Sequence, residues 1–229
     1  MRYLTIILFS IIFSQTAQSQ IYEIGVFGGG SNFIGDVGKT NYISPNQSAF
    51  GAILKWNRSP RHSWRVSVIY AGLEGIDAKS DDPRRQERDY SFDNNIFEIS
   101  AGMEFTFFDF NLHEYDNKTT PYLYTGITSG RHSNFYFDNN GEIVGEGTYS
   151  WAFGIPMVLG VKTTLTDHLI LGAEIGARYT FSDELDGSVP DFDNEHPLSF
   201  GNTNSNDWYV FTGFTLTYTF GRRPCYCDF

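Results

Sequence analysis

Residues 207–220 read DWYVFTGFTLTYTF, and this run decides the fold. Trp208, Val210, Phe214, Leu216, Tyr218 and Phe220 share one parity; Asp207, Tyr209, Gly213, Thr215, Thr217 and Thr219 share the other, with Phe211 and Thr212 out of place. A period of two is the mark of a β-strand with two unlike faces. One face here is aromatic and aliphatic, the other small and hydroxylated. In a soluble sandwich the first would be core and the second would meet water. In a membrane barrel the first meets lipid, its ends sit in aromatic girdles, and the second points into the lumen. A tilted strand of about 10 residues crosses the hydrocarbon, so this run is long enough to span it.

The same rhythm recurs upstream. Strands are expected at residues 21–29, 47–56, 63–72, 95–108, 122–130, 149–164 and 169–182. In the seventh, Leu169, Leu171, Ala173, Ile175, Ala177, Tyr179 and Phe181 face one way, and Gly172, Glu174, Gly176, Arg178, Thr180 and Ser182 the other. Phe97, Ile99, Ala101, Met103, Phe105 and Phe107 alternate as cleanly with Glu98, Ser100, Gly102, Glu104 and Thr106. The facing of the fifth strand is ambiguous. Gly28-Gly29-Gly30 breaks the first, and Pro156 inside the sixth calls for a bulge or a locally open ladder.

The connections alternate in length. Residues 31–46, 73–94, 131–148 and 183–206 read as long polar loops, while 57–62, 109–121 and 165–168 are shorter. Trp56 and Trp64 flank one short turn, and Trp151 and Trp208 sit at the opposite strand ends. Two tryptophan levels and segregated loop lengths suit an outer-membrane barrel. The expected fold is all-β: an eight-stranded antiparallel up-and-down transmembrane β-barrel with long extracellular loops and short periplasmic turns. A lipocalin-like soluble barrel is the alternative.

Composition narrows the function. The 229 residues carry 17% aromatics, 23 glycines and a formal net charge of −11. Nucleic-acid binding needs a basic stripe, and none is visible. Residues 1–19 read as a signal peptide: Arg2, an apolar run at 3–13, then Ala17-Gln18-Ser19 with small residues at the cleavage positions. The barrel is expected over residues 20–220 and a periplasmic tail over 221–229.

Lys55, Arg65, Glu98, Glu104, Lys162, Glu174 and Arg178 lie within the strands, many of them on the small polar face. A narrow barrel is filled by its side chains and buried charges must pair, so Arg65, Glu98, Glu104, Glu174 and Arg178 are expected to form lumen charge pairs rather than a conducting or catalytic site. His62, His113 and His168 fall in the periplasmic turns and His132 and His196 in the outer loops; none shares a strand face with a serine and a carboxylate, as a hydrolase would need. The acidic runs at 183–187 and 191–195 lack the spacing of a calcium loop. No catalytic residue, cofactor or metal is expected.

Cys225 and Cys227 are the only cysteines and lie in the tail, in an oxidising compartment. Two residues apart, they are poorly placed to bridge each other. Free thiols, a short internal bridge and metal binding stay open; the sharpest expectation is a bond from at least one of them to a cysteine of a periplasmic partner. Residues 109–121 and 221–229 are the distinctive turn-side segments, so partner contact is expected at His113, Asp116, Cys225 and Cys227.

Taken together, WNRSPRHSWR (56–65), EFTFFDFNLHE (104–114), TPYLYTGI (120–127), GARYTFSDELDGS (176–188), NSNDWYVFTGFTLTYTFG (204–221) and the terminal CYCDF resemble the PorG family. That family is the outer-membrane component of the type IX secretion system of Bacteroidota. The resemblance runs over nearly the whole mature chain. It implies a non-enzymatic barrel that docks the periplasmic ring of the PorK lipoprotein and PorN in support of protein export, and it brings no catalytic residues. The competing reading is a small outer-membrane barrel acting as an adhesin or lipid-modifying enzyme through its outer loops.

Overall fold

The structure, a computed structural model, describes residues 21–112, 117–190, 198–202 and 205–221. The eight strands are β1 (Ile21–Ile34), β2 (Gln47–Asn57), β3 (His62–Ile76), β4 (Ser91–Thr106), β5 (Thr119–Phe137), β6 (Ile143–Thr164), β7 (Leu169–Thr180) and β8 (Trp208–Phe220). They close one antiparallel barrel in chain order. β8 returns to β1 with Tyr22 opposite Phe220 and Ile34 opposite Trp208. Closure gives every strand two neighbours, which is how a sheet can satisfy its backbone groups in lipid.

Both ends of the barrel chain, with connections 58–61 and 165–168 and the described residues of 107–118, lie at one end of the barrel, the turn end. Connections 35–46, 77–90 and 138–142 and the described residues of 181–207 lie at the other, the loop end. In the connection between β3 and β4 the chain forms a 3-10 turn (Asp77–Lys79) and a short helix α1 (Pro83–Arg88). Asp82 caps α1 by accepting a hydrogen bond from the Arg84 amide at 2.9 Å, and Pro83 opens the first turn.

Strand lengths depart from the sequence reading in β1, in the β5–β6 hairpin, and in the expected loop 73–94, whose ends pair as β3 and β4 from Leu73–Asn94 to Ile76–Ser91. β1 runs straight through Gly28-Gly29-Gly30 to Ile34. There the glycines let β1 and β8 approach: a Cβ on Gly29 would press on the Thr212 carbonyl oxygen and lie 2.6 Å from Gly213 Cα. Residues 131–148 are not a long loop. They belong to a β5–β6 hairpin closed by residues 138–142, which continues past the ends of the neighbouring ladders at Ile96–His132 and Gly154–Thr180. The register shift in that hairpin falls between Ser133 and Phe135, not at Pro156. At Pro156 the β5 ladder opens between the Thr125–Met157 and Thr128–Gly154 pairs, while pairing with β7 continues through Pro156–Arg178. β5 itself faces Tyr122 and Tyr124 inward and Leu123 and Ile127 outward.

Candidate functional site

The polarity of the wall is inverted relative to a soluble barrel. Outward positions are large and apolar, among them Ile24, Val26, Phe50, Leu54, Tyr70, Ile99, Leu123, Phe153, Leu159 and Phe214, all exposed. Ile127, at mid-height of β5, is 72% exposed. Tyr22 stacks on Phe220 at the turn end, with ring centroids 5.9 Å apart, and Tyr179 packs on Trp208 towards the loop end at 4.9 Å. Apolar patches of this extent on soluble monomers are rare; a continuous belt with aromatic rims is what a bilayer requires.

The inward face carries the charges, and the register explains their grouping. Lys55 and Arg65 are direct partners across β2 and β3. Like charges so placed repel, and two carboxylates from other strands offset them. Glu104 receives Lys55 Nζ at 2.7 Å and Lys162 Nζ at 2.6 Å, with Arg65 Nη1 3.9 Å away. Glu174 receives Arg65 Nη1 and Nη2 at 2.7 and 2.8 Å, and the Tyr122 hydroxyl at 2.6 Å. Further along the lumen, Arg178 Nε donates to Glu98 at 3.2 Å and the Tyr209 hydroxyl donates to the same carboxylate at 2.6 Å. Glu23, on the inward parity of β1, accepts from Asn57 Nδ2 and Thr217 Oγ1, both at 2.8 Å. The buried ionic groups of the strands are therefore Lys55, Arg65, Lys162 and Arg178 against Glu23, Glu98, Glu104 and Glu174, a lumen with no net charge.

Arg65, Glu98, Glu104, Glu174 and Arg178 are thus all inside the barrel, in two linked groups. The sequence reading missed Tyr122 and Tyr209 as partners and Glu23 as a member; their inward parity was the available signal. It also placed His132 in an outer loop, whereas His132 lies in β5 with its side chain buried. His113, Asp116, Cys225 and Cys227 lie outside the described residues, as do residues 1–20. The chain on either side of 113–116 is fixed at the turn end: the Phe110 amide donates to the Pro60 carbonyl at 2.9 Å and the Lys118 amide to Thr164 Oγ1 at 2.9 Å.

Towards the loop end the lumen turns apolar. Phe27, Ile53, Ile69, Ile96 and Phe211 continue into Phe33, Leu73, Phe92, Phe135, Phe137 and Leu185 as one buried cluster. Three connections are knitted over it. Asp186 Oδ2 accepts from the Asp36 and Val37 amides at 2.8 and 3.1 Å. Arg85 Nη1 donates to the Gly35 and Gly38 carbonyls, both at 2.9 Å, and Arg88 spans Asp77 at 2.8 Å and the Asp36 carbonyl at 2.7 Å. Asp207 Oδ2 accepts from the Leu185 amide at 3.0 Å.

This cap concentrates acid. Burial, then the charges of Asp186, Asp36 and Glu184, push the Asp183 carboxyl up to about 8. Burial raises Asp186 as well, and burial with Asp186 and Asp183 nearby raises Asp207. Arg85 and Arg88, the cations of α1 at this cap, are directed to backbone carbonyls and Asp77 rather than to this group. Among the described residues, no group of three or more His, Cys, Asp or Glu side chains is arranged to hold a metal ion.

A closed barrel with an apolar outer belt, a filled and charge-neutral lumen and a knitted cap defines a transmembrane β-barrel of the outer-membrane type. The chain belongs to the family described as a domain of unknown function, DUF6089, which matches residues 1–229. No curated protein matches it. Among solved structures it is similar to the attachment invasion locus protein Ail of Yersinia pestis in complex with the heparin analogue sucrose octasulfate, at 12% identity and a TM-score of 0.47 over 89% of this chain and 100% of that one. It is similar to Neisserial surface protein A at 12% identity and 0.46, over 89% and 98% of the two chains. A major outer membrane protein from Thermus thermophilus stands at 13% and 0.47, over 89% and 100%. Likenesses at this level carry no function with them.

Proposed function

We propose that this barrel is a non-enzymatic outer-membrane component of the type IX protein secretion machinery, of the PorG kind, which docks the periplasmic ring of PorK and PorN. The observation that carries the reading is the lumen. Its ionic groups other than Glu23 pair with one another, Glu23 is held by Asn57 and Thr217, and the loop end is packed with aromatic side chains. A wall filled in this way, among the described residues, supports anchoring and surface contact as its work. The motifs quoted from residues 56–65, 104–114, 120–127, 176–188 and 204–221 supply the particular machine. In this reading the turn end is periplasmic, and the ring meets the segment that holds His113 and Asp116 and the tail that holds Cys225 and Cys227. At least one of the two thiols forms a disulfide with a cysteine of the ring lipoprotein.

The test is a crosslinking pull-down from outer membranes with a tagged chain. Recovery of PorK and PorN supports the reading. Recovery of neither, with the barrel intact in the membrane, overturns it. Non-reducing gels address the tether: a reducible, higher-mass species lost in the Cys225→Ser/Cys227→Ser variant is expected, and a wild-type chain that runs only as a monomer contradicts it.

A further inference from the structure

A cavity of about 190 Å³ opens on the outside of the barrel wall at the loop end. It is lined by Asn32, Lys39, Asn41, Ser44, Glu74 and Lys79, among others. Asn32 and Glu74 occupy outward positions of β1 and β3, so the cavity faces sideways rather than into the lumen. Residues 41–44 form its outer lip. Asn32 Nδ2 donates to the Asn41 and Tyr42 carbonyls at 3.1 and 3.4 Å, and its Oδ1 accepts from the Ser44 amide at 3.3 Å, which holds that lip against β1.

The charges here run against the rest of the chain. Lys39 is exposed and has no ion-pair partner among the described residues. Lys79 stands 3.6 Å from Glu74, a loose contact, and Glu74 is also engaged by Gln47 Nε2 at 2.7 Å. Two ammonium groups against one carboxylate leave a local excess of positive charge on a chain of formal net charge −11. Asparagine and serine side chains supply further polar lining.

Height along the wall names the ligand class. Tyr70, 54% exposed, is the outward aromatic of β3 next below the cavity, and Glu74 lies four residues further along the same strand. That separation is about 13 Å along the strand and somewhat less along the tilted barrel axis. Trp208, in the aromatic rim at the loop end, is the ladder partner of Ile34, two residues from Asn32 on β1, which puts the cavity at the level of that rim and of the lipid headgroups. Tyr42 and Ile43, exposed at 68% and 64%, project from the lip beside it. The volume corresponds to roughly six waters, room for a phosphate group that keeps part of its hydration.

We propose that this cavity is a binding site for the phosphate of an anionic lipid headgroup, gripped by Lys39 and Lys79 with acyl chains running down the apolar wall past Tyr70. The inference rests on the reading of the barrel as a membrane protein, and goes beyond it by assigning a ligand class and two residues.

The test is native mass spectrometry of the full barrel in detergent, titrated with dioleoylphosphatidic acid, with dioleoylphosphatidylcholine as comparator and inorganic phosphate as competitor. The wild type should retain phosphatidic acid, and Lys39→Ala/Lys79→Ala should bind it roughly tenfold or more weakly, as expected for two surface cations each worth about 1 kcal/mol. Lys39→Arg should keep the affinity. Lys39 is solvent-exposed, so the folded barrel is retained, which circular dichroism verifies. Equal retention by wild type and double variant overturns the site. Displacement of the lipid by inorganic phosphate at equal concentration overturns the lipid assignment. Phosphatidylcholine, held equally by all variants, reports the belt alone. Its loss would count against the membrane reading, whereas loss of only the lysine-dependent difference would count against the cavity.

Discussion

Arg65 on β3 and Glu174 on β7 meet across the lumen as a two-pronged pair, Nη1 to Oε2 at 2.7 Å and Nη2 to Oε1 at 2.8 Å. Both side chains are buried. Removing one partner strands the other charge in a low-dielectric interior, at a cost of about 3–5 kcal/mol. Glu174→Ala and Arg65→Ala should each lower stability by that order in urea unfolding followed by tryptophan fluorescence. Arg65→Met/Glu174→Leu should lose less than either single change. Additive losses would show that the two side chains are not coupled.

The belt makes a second prediction. Ile127→Arg places a cation on the lipid face at mid-height of β5, opposite Ala101. In bilayers it should cost on the order of 2–4 kcal/mol. Arginine at Asn140, in the 138–142 turn beyond the wall, should cost under about 0.5 kcal/mol. Refolding yields into vesicles report both; equal effects would remove lipid from the account.

A third concerns pH. The Asp183 carboxyl is pushed up to about 8 in the cap, so the folded state holds its proton where the unfolded chain has released it. Its contribution is fully present below the unfolded value near 3.8 and is lost as pH rises through about 8. The urea midpoint should fall from pH 5 to pH 9, and Asp183→Asn should flatten that fall. An unchanged slope in the variant would remove Asp183 from the cap's pH response.

A fourth concerns barrel closure. Gly29 lies opposite Gly213 where β1 meets β8, and a Cβ on Gly29 would press on the Thr212 carbonyl. Gly29→Ala should destabilise by about 1–3 kcal/mol as an overpacked contact. Gly145→Ala, in the projecting hairpin with nothing within 4 Å of its would-be Cβ, should be nearly silent. Unfolding midpoints of the two variants separate the cases.

How much of this was legible followed from what surrounds each segment. Where lipid lies on one side and a packed lumen on the other, the alternation of β4, β7 and β8 gave both strand and facing. Arg65, Glu98, Glu104, Glu174 and Arg178 could be placed inside by parity alone. Their partners could not: Arg65 faces Lys55 and Gly102 across its two ladders, yet makes its closest pair with a carboxylate 109 residues away. Past the belt the hydrophobic face is no longer needed, so residues 131–148 of the hairpin read as loop. Glycines carry no side-chain signal, so β1 read as ending at the point where it packs most closely on β8. Residues 73–94 read as loop throughout, and α1 went unread within them because its six residues are too few to show an amphipathic period.

The central claim, a lipid-facing wall around a filled lumen, is tested most directly on β8. Thr215, Leu216, Thr217 and Tyr218 are each replaced by Cys, one at a time, in a Cys225→Ser/Cys227→Ser background and reconstituted in vesicles. Each is exposed to a charged methanethiosulfonate and to a lipid-soluble maleimide. The buried positions 215 and 217 should react with neither reagent, and the exposed positions 216 and 218 with the lipid-soluble reagent. Charged reagent at 215 or 217 would mean a water-filled lumen, and charged reagent at 216 would put the belt in water; either result contradicts the account.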